Sequence, residues 1–178
     1  MKKMVKNQKG FSLIELLIVI AIMGVLAIIA FNAFSGVVNN VKKRADDQNA
    51  KLIEKAITAY VIDSGDTSLA NLYYKTRDGA NYTKYNLTDN TAGVNGLITA
   101  LMCNIRDKAD DTYKNEYGPY LSPEDGASES ADQFALQWSA SNNTGDYAGF
   151  EITIYRKDKT VRVRPTTVSG NVGIDLVQ

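Results

Sequence analysis

Residues 9–15 read Lys9-Gly10-Phe11-Ser12-Leu13-Ile14-Glu15 (KGFSLIE), and LLIVIAIMGVLAIIAF follows without a charge to Phe31. Between Phe11 and Phe31 only Ser12 and Glu15 interrupt the apolar character. As a helix rising about 1.5 Å per residue this run reaches about 30 Å, the thickness of a bilayer's hydrocarbon core. A carboxylate near the middle of such a span costs roughly 2.5–3.5 kcal/mol, so an acid within it asks for a function. The residues before Phe11 hold Lys2, Lys3, Lys6 and Lys9 and no acid. Such lysines stay cytoplasmic, which places the rest of the chain outside the cytoplasmic membrane. Against this, Lys42, Lys43 and Arg44 follow on the far side.

A single-pass anchor is the plain reading. A secretory signal peptide is a second, because Ala33-Phe34-Ser35 offers a small-x-small site after the run. Signal peptides carry an apolar region of about 7–15 residues and no acid in it, so this run is too long and wrongly charged. Neither reading accounts for Glu15.

Composition narrows the rest. The chain has 178 residues and a formal net charge of zero, which suits one globular domain plus one hydrophobic segment. Setting the four N-terminal lysines aside leaves 16 basic against 20 acidic side chains. Nothing in that balance points to nucleic acid, which needs a basic stripe on the folded domain. With no histidine and Cys103 as the single cysteine, an intramolecular disulfide and a Cys/His zinc site are both excluded. Nucleophilic catalysis with a histidine base is excluded too. These absences speak against an enzyme, and neither a cofactor nor a metal is expected.

The basic leader, Gly10, Phe11, a glutamate at fixed spacing and the unbroken apolar stretch together resemble the class III leader of type IV pilins and type II secretion pseudopilins. The chain looks most like a major type IV pilin. The resemblance implies that a prepilin peptidase cuts between Gly10 and Phe11 and then methylates the Phe11 amine. Glu15 becomes the fifth residue of the mature chain and pairs with the Phe11 amine of a neighbouring subunit in a filament. A buried pair adds little net stability, but an unpaired buried charge is heavily penalised, so the pair sets axial register. Closeness to the positive end of its own helix lowers the cost of Glu15 further. Implied partners are other pilin subunits, the peptidase, the pilus assembly machinery and, before assembly, the lipid bilayer. Many family members carry a proline where Asn32 stands, and their helix loosens there on assembly. Asn32 keeps its backbone N–H and need not break the helix.

Periodicity supplies the rest of the architecture. Phe34, Val37, Val38, Val41, Ala45, Leu52, Ile53, Ala56, Ile57 and Tyr60 recur at three- and four-residue steps. Asn39, Lys42, Lys43, Asp46, Asp47, Lys51 and Lys55 take the other side. This predicts one helix from about Phe11 to Ile62, stopped by Ser64-Gly65. The Asn-, Thr- and Tyr-rich stretch 66–94 reads as a loop in the place of the pilin αβ-loop. In it Tyr73, Tyr74, Tyr82 and Tyr85 form either an adhesive or inter-subunit patch or a small core. Leu97, Ile98, Leu101, Met102 and Ile105 predict a short helix over about 94–107. Cys103 falls opposite that stripe, either a small buried hydrophobe or partly exposed.

Strand-like runs follow at 134–138, 150–155, 160–164 and 172–177, with Lys157-Asp158-Lys159 as a hairpin turn. The expected fold is α+β, the pilin fold. Its long N-terminal helix has a lipid-facing half and an amphipathic half packed on a small antiparallel sheet. The divisions are a leader (1–10), a hydrophobic helix (11–33), its amphipathic half (34–62) and the rest of an extracellular globular head (63–178). Within the head the strands fall over about 134–177. The acidic groups Asp107, Asp110, Asp111 and Glu124, Asp125, Glu129, Asp132 lack EF-hand spacing and read as solvated loops, although related pseudopilins can hold calcium in C-terminal loops. Two other functions stay open: a minor pilin or pseudopilin, and a membrane-tethered binding domain that never polymerises.

Overall fold

The computed structural model describes residues 11–79, 81–88, 90–109, 112–123, 128–139 and 146–178. The chain divides into two compact units, the first ending at Val41 and the second spanning Lys42–Gln178. Helix α1 (Leu13–Ser64) contributes to both and is unbroken at Asn32. It ends where Gly65 adopts φ 71°, a left-handed conformation natural to glycine, and Gly65 N donates to Val61 O at 3.0 Å. In the first unit the apolar side chains of α1 are exposed around the helix, as with Leu13, Ile22 and Phe31.

In the second unit α1 is one-sided. Ala50, Ile53, Ala56, Ile57, Tyr60 and Val61 enter a core shared with every other major element of the head. Full burial of Ile53 or Ile57 stabilises the fold by roughly 1.5–3 kcal/mol each. Phe34, Val37 and Val41, expected on the same apolar stripe, are exposed in the first unit, and two further placements are corrected in the second. Leu52, expected to face the core, is 49% exposed, and Asp46, expected on the polar side, is 0% exposed.

The strands form two sheets rather than one. In the first, β1 (Tyr73–Lys75), β2 (Thr83–Lys84), β3 (Asn104–Ala109) and β4 (Thr112–Tyr117) run antiparallel in the order β2-β1-β3-β4. In the second, β5 (Gly149–Tyr155), β6 (Thr160–Thr166) and β7 (Gly173–Val177) take the order β6-β5-β7. β5 and β6 form the predicted antiparallel hairpin, but β7 lies parallel to β5. The connection from β6 returns past the start of β5 to begin β7 opposite Glu151. The approach there is close enough that a Cβ on Gly149 would stand 2.5 Å from the Val172 side chain. Pro165 sits on β6, an edge strand, where a missing N–H is tolerated.

Helix α2 (Thr91–Leu101) is earlier and shorter than expected. Asn90 caps it through Oδ1, which accepts Gly93 N at 3.0 Å. Its last turn tightens as Met102 N donates to Thr99 O, and the chain leaves as β3. Ile105 keeps its buried place, but on β3 opposite Tyr74 and Tyr117. Cys103 is buried, with Sγ donating to Thr99 O at 3.1 Å. Phe134–Trp138 is not a strand. It lies in 3-10 turns at Ala131–Phe134 and Gln137–Ser139, the first capped by the Ser130 side chain accepting Asp132 N. A capped polar turn outcompetes a five-residue alternation that has no neighbouring strand to pair with.

Candidate processing and assembly site

Gly10 and the lysine-rich leader lie outside the described residues. Phe11 precedes the helix and is 91% exposed. Ser12 stands at the N-cap position, its carbonyl accepting Glu15 N at 3.1 Å and Leu16 N at 3.2 Å. Glu15, three residues on, returns a bond: its Oε2 accepts Ser12 N at 2.9 Å. This is the carboxylate half of a capping box, which satisfies one of the donors a helix start leaves unpaired. The Ser-x-x-Glu spacing at 12–15 is the signal that carries it in the sequence. A carboxylate offers about four acceptor positions on two oxygens, so this bond leaves capacity for another donor. After Glu15 the helix is uniformly apolar to Phe31 and, by length and composition, sufficient to cross a membrane.

A second set of carboxylates on α1 fastens the head. Asp46 Oδ1 accepts Gln137 N at 2.8 Å and its Oδ2 accepts Trp138 N at 3.0 Å. Lys43 Nζ lies 4.5 Å above the Trp138 ring. Glu54 Oε2 accepts Val163 N at 2.9 Å, an outward-facing donor of the edge strand β6. A buried anion is tolerated here because both oxygens receive backbone N–H groups. The spacing 46, 50, 53, 57, 60 marks Asp46 as a core-face residue. At the other end of α1, Tyr60 and Tyr120 meet edge-to-face with ring centroids 6.2 Å apart. Their hydroxyls donate to Asp66 and Asp63. Burial, then these carboxylates, holds both phenols well above the ordinary tyrosine range.

The tyrosine group divides in two. Tyr85 is buried with its hydroxyl on Gly93 O, and Tyr74 packs against the core. Tyr73 and Tyr82 instead lie beneath Lys84 and Arg106, at 6.0 and 4.6 Å. Of the acidic groups, Asp110, Asp111, Glu124 and Asp125 lie outside the described residues. Glu129 pairs with Arg77, and Asp132 accepts from Ser130. Among the described residues no group of three or more side chains is placed to hold a metal ion.

The prokaryotic N-terminal methylation motif matches residues 5–31, which span the leader, Phe11, Glu15 and the apolar run. The fimbrial protein EcpC of Eikenella corrodens is 38% identical over 96 residues. Together the motif and this similarity support a type IV pilin-like protein. The alignment to that relative covers 53% of the pilin-like chain and 63% of the relative, less than two thirds of its length. No solved structure matches the chain significantly. The long N-terminal helix with its α+β head is consistent with the pilin fold. A structural role rather than a catalytic one fits a fimbrial relative.

Proposed function

We propose that this pilin-like chain is the structural subunit of a type IV pilus, most like a major pilin. It is cleaved between Gly10 and Phe11 by a prepilin peptidase and methylated on the Phe11 amine. It then polymerises through Phe11–Ile62 into a surface filament used in adhesion or motility. Before assembly it crosses the cytoplasmic membrane once with the head outside, drawn on by the pilus assembly machinery. The observation that carries this reading is the methylation motif placed directly on the start of a membrane-length helix, with Glu15 in its first turn.

Cleavage creates a cation at Phe11, and methylation leaves it a basic amine. In a filament core where water is scarce, that charge needs an anion, and Glu15 of a neighbouring copy is the counter-charge. Its capping bond to Ser12 fixes the carboxylate near the helix start, so the incoming amine meets an acceptor already oriented.

N-terminal mass analysis of the mature protein, together with sheared surface filaments, tests the reading. The expected chain begins at Phe11, carries one added methyl group and dominates the filament fraction. Gly10→Val is expected to leave an uncleaved, membrane-held precursor. A cleaved chain that is rare in filaments reassigns the protein as a minor pilin or pseudopilin. An uncleaved one absent from filaments makes it a tethered binding domain.

A further inference from the structure

The hairpin joining β5 to β6 gathers charge of one sign. Arg156, Lys157, Lys159 and Arg162 are all exposed, and among the described residues none of them pairs with a carboxylate. Asp158 is the only acid in the turn, so the tip is strongly cationic. The surroundings are not: Lys42–Gln178 holds 16 basic and 19 acidic side chains. Two residues beyond Arg162 the pattern reverts, because Arg164 is held by Glu151 in a two-pronged fork at 2.9 and 3.1 Å.

Backbone geometry sets Lys159 apart from the other three. Its φ is 52°, a left-handed conformation that glycine adopts freely and other residues adopt under strain. Leu69 has a similar φ of 56°, but its side chain is 1% exposed and packs in the core, which accounts for it. The Lys159 side chain is exposed, and among the described residues no hydrogen bond or ion pair holds it, so neither burial nor pairing accounts for a lysine at a glycine position. Strain held at an exposed charge points to recognition.

We infer that the Arg156–Arg162 hairpin tip is a docking site for a linear acidic polysaccharide bearing carboxylate or sulfate groups. Charge complementarity selects the occupant. The tip presents no exposed large apolar side chain, since Ile154, Val161 and Val163 turn inward, so it lacks the apolar anchors of a membrane or protein interface. It also lacks the open aromatic platforms on which single-stranded bases stack. What remains is a group of exposed cations gathered on one hairpin, which suits a polyanion. The inference rests on the head facing the cell exterior, but binding itself is measurable without processing or assembly.

The experiment uses the full-length chain in detergent micelles, with heparin and polygalacturonate as probes and uncharged dextran as control. Saturable, salt-sensitive binding to at least one acidic probe is expected. Lys157→Gln with Arg162→Gln should weaken it roughly tenfold, since each lost cation removes a counterion-releasing contact. Arg164→Gln should leave it unchanged. Lys159→Gly is the decisive variant: it should raise the thermal midpoint while lowering affinity. Absence of binding, unchanged affinity in Lys159→Gly, or equal binding by duplex DNA at matched charge overturns the inference. So does salt-sensitive self-association that is lost in the same variants while the probes do not bind.

Discussion

Glu15 and Asp46 are carboxylates on the same helix, and both accept backbone N–H groups, yet their situations are opposite. Glu15 accepts one N–H from its own first turn and remains exposed, with acceptor capacity to spare. Asp46 is 0% exposed, and each of its oxygens is used by a backbone donor 91 or 92 residues away in sequence. The first carboxylate is local and open; the second is distant and closed. A carboxylate on such a helix therefore has two physical justifications, a partner still to arrive or a partner already in place. Burial and hydrogen-bond count tell them apart.

The largest expected effect tests whether the head depends on the buried face of α1 at all. Ile57→Asp places an unpaired charge at a site of 0% exposure and should cost upwards of about 4 kcal/mol. Cooperative unfolding of the full-length chain, followed by fluorescence of Trp138, its single tryptophan, should be lost. A normal transition would mean that this face does not hold the head.

Glu15→Leu probes the open carboxylate. Removing the acid should leave cleavage and membrane insertion intact while abolishing filaments, because a neighbour's Phe11 amine is then buried without its counter-charge, a loss of about 3–5 kcal/mol per contact. Mixed with wild-type subunits, the variant should be partly incorporated, since a wild-type Glu15 still accepts its amine. Wild-type amounts of filament from the variant alone would show that Glu15 only caps its helix.

Asp46→Ala probes the closed one. Two backbone N–H groups lose a buried, charged acceptor, so denaturant titration should show about 2–4 kcal/mol of destabilisation, with filament yield falling only as far as stability falls. If it instead behaves like Glu15→Leu, stable but unable to assemble, the division between the two carboxylates collapses. Lys43→Ala gives the smallest effect, about 0.5–1 kcal/mol for the lost contact with the Trp138 ring, accompanied by a shift in tryptophan emission. No change in emission would remove Lys43 from the clamp.

The elements legible in the sequence were those with long or paired signals. α1 carries one periodicity over many turns, and the β5–β6 hairpin alternates on both strands around a polar turn. The β3–β4 hairpin is not legible in the sequence, because NIRDKA and TYKNEY carry few apolar residues and Ile105 completes a helical stripe as readily as a strand. FALQW alternates like a strand but has no pairing partner, and the Ser130 cap that decides its form is a local hydrogen bond. The parallel placement of β7 follows from a crossing at Gly149, which only the assembled head displays. At the candidate site, Gly10, Phe11 and Glu15 stood out through a resemblance carried by spacing. The Ser12 capping bond was readable from the same residues. The charge of Asp46 masks its place in the core-face row 46, 50, 53, 57, 60.

The sheltered thiol has a compartmental consequence. Burial, then the Glu129 charge, pushes Cys103 up to about 11, so at neutral pH it stays a protonated thiol, hidden from solvent. If the head is displayed outside the cell, as proposed, it meets a reducing and then an oxidising regime. Its core is closed by packing and backbone pairing, with the lone sulfur donating to Thr99 rather than waiting for a second cysteine. Passage between the two regimes would then require no intramolecular disulfide to form in the head.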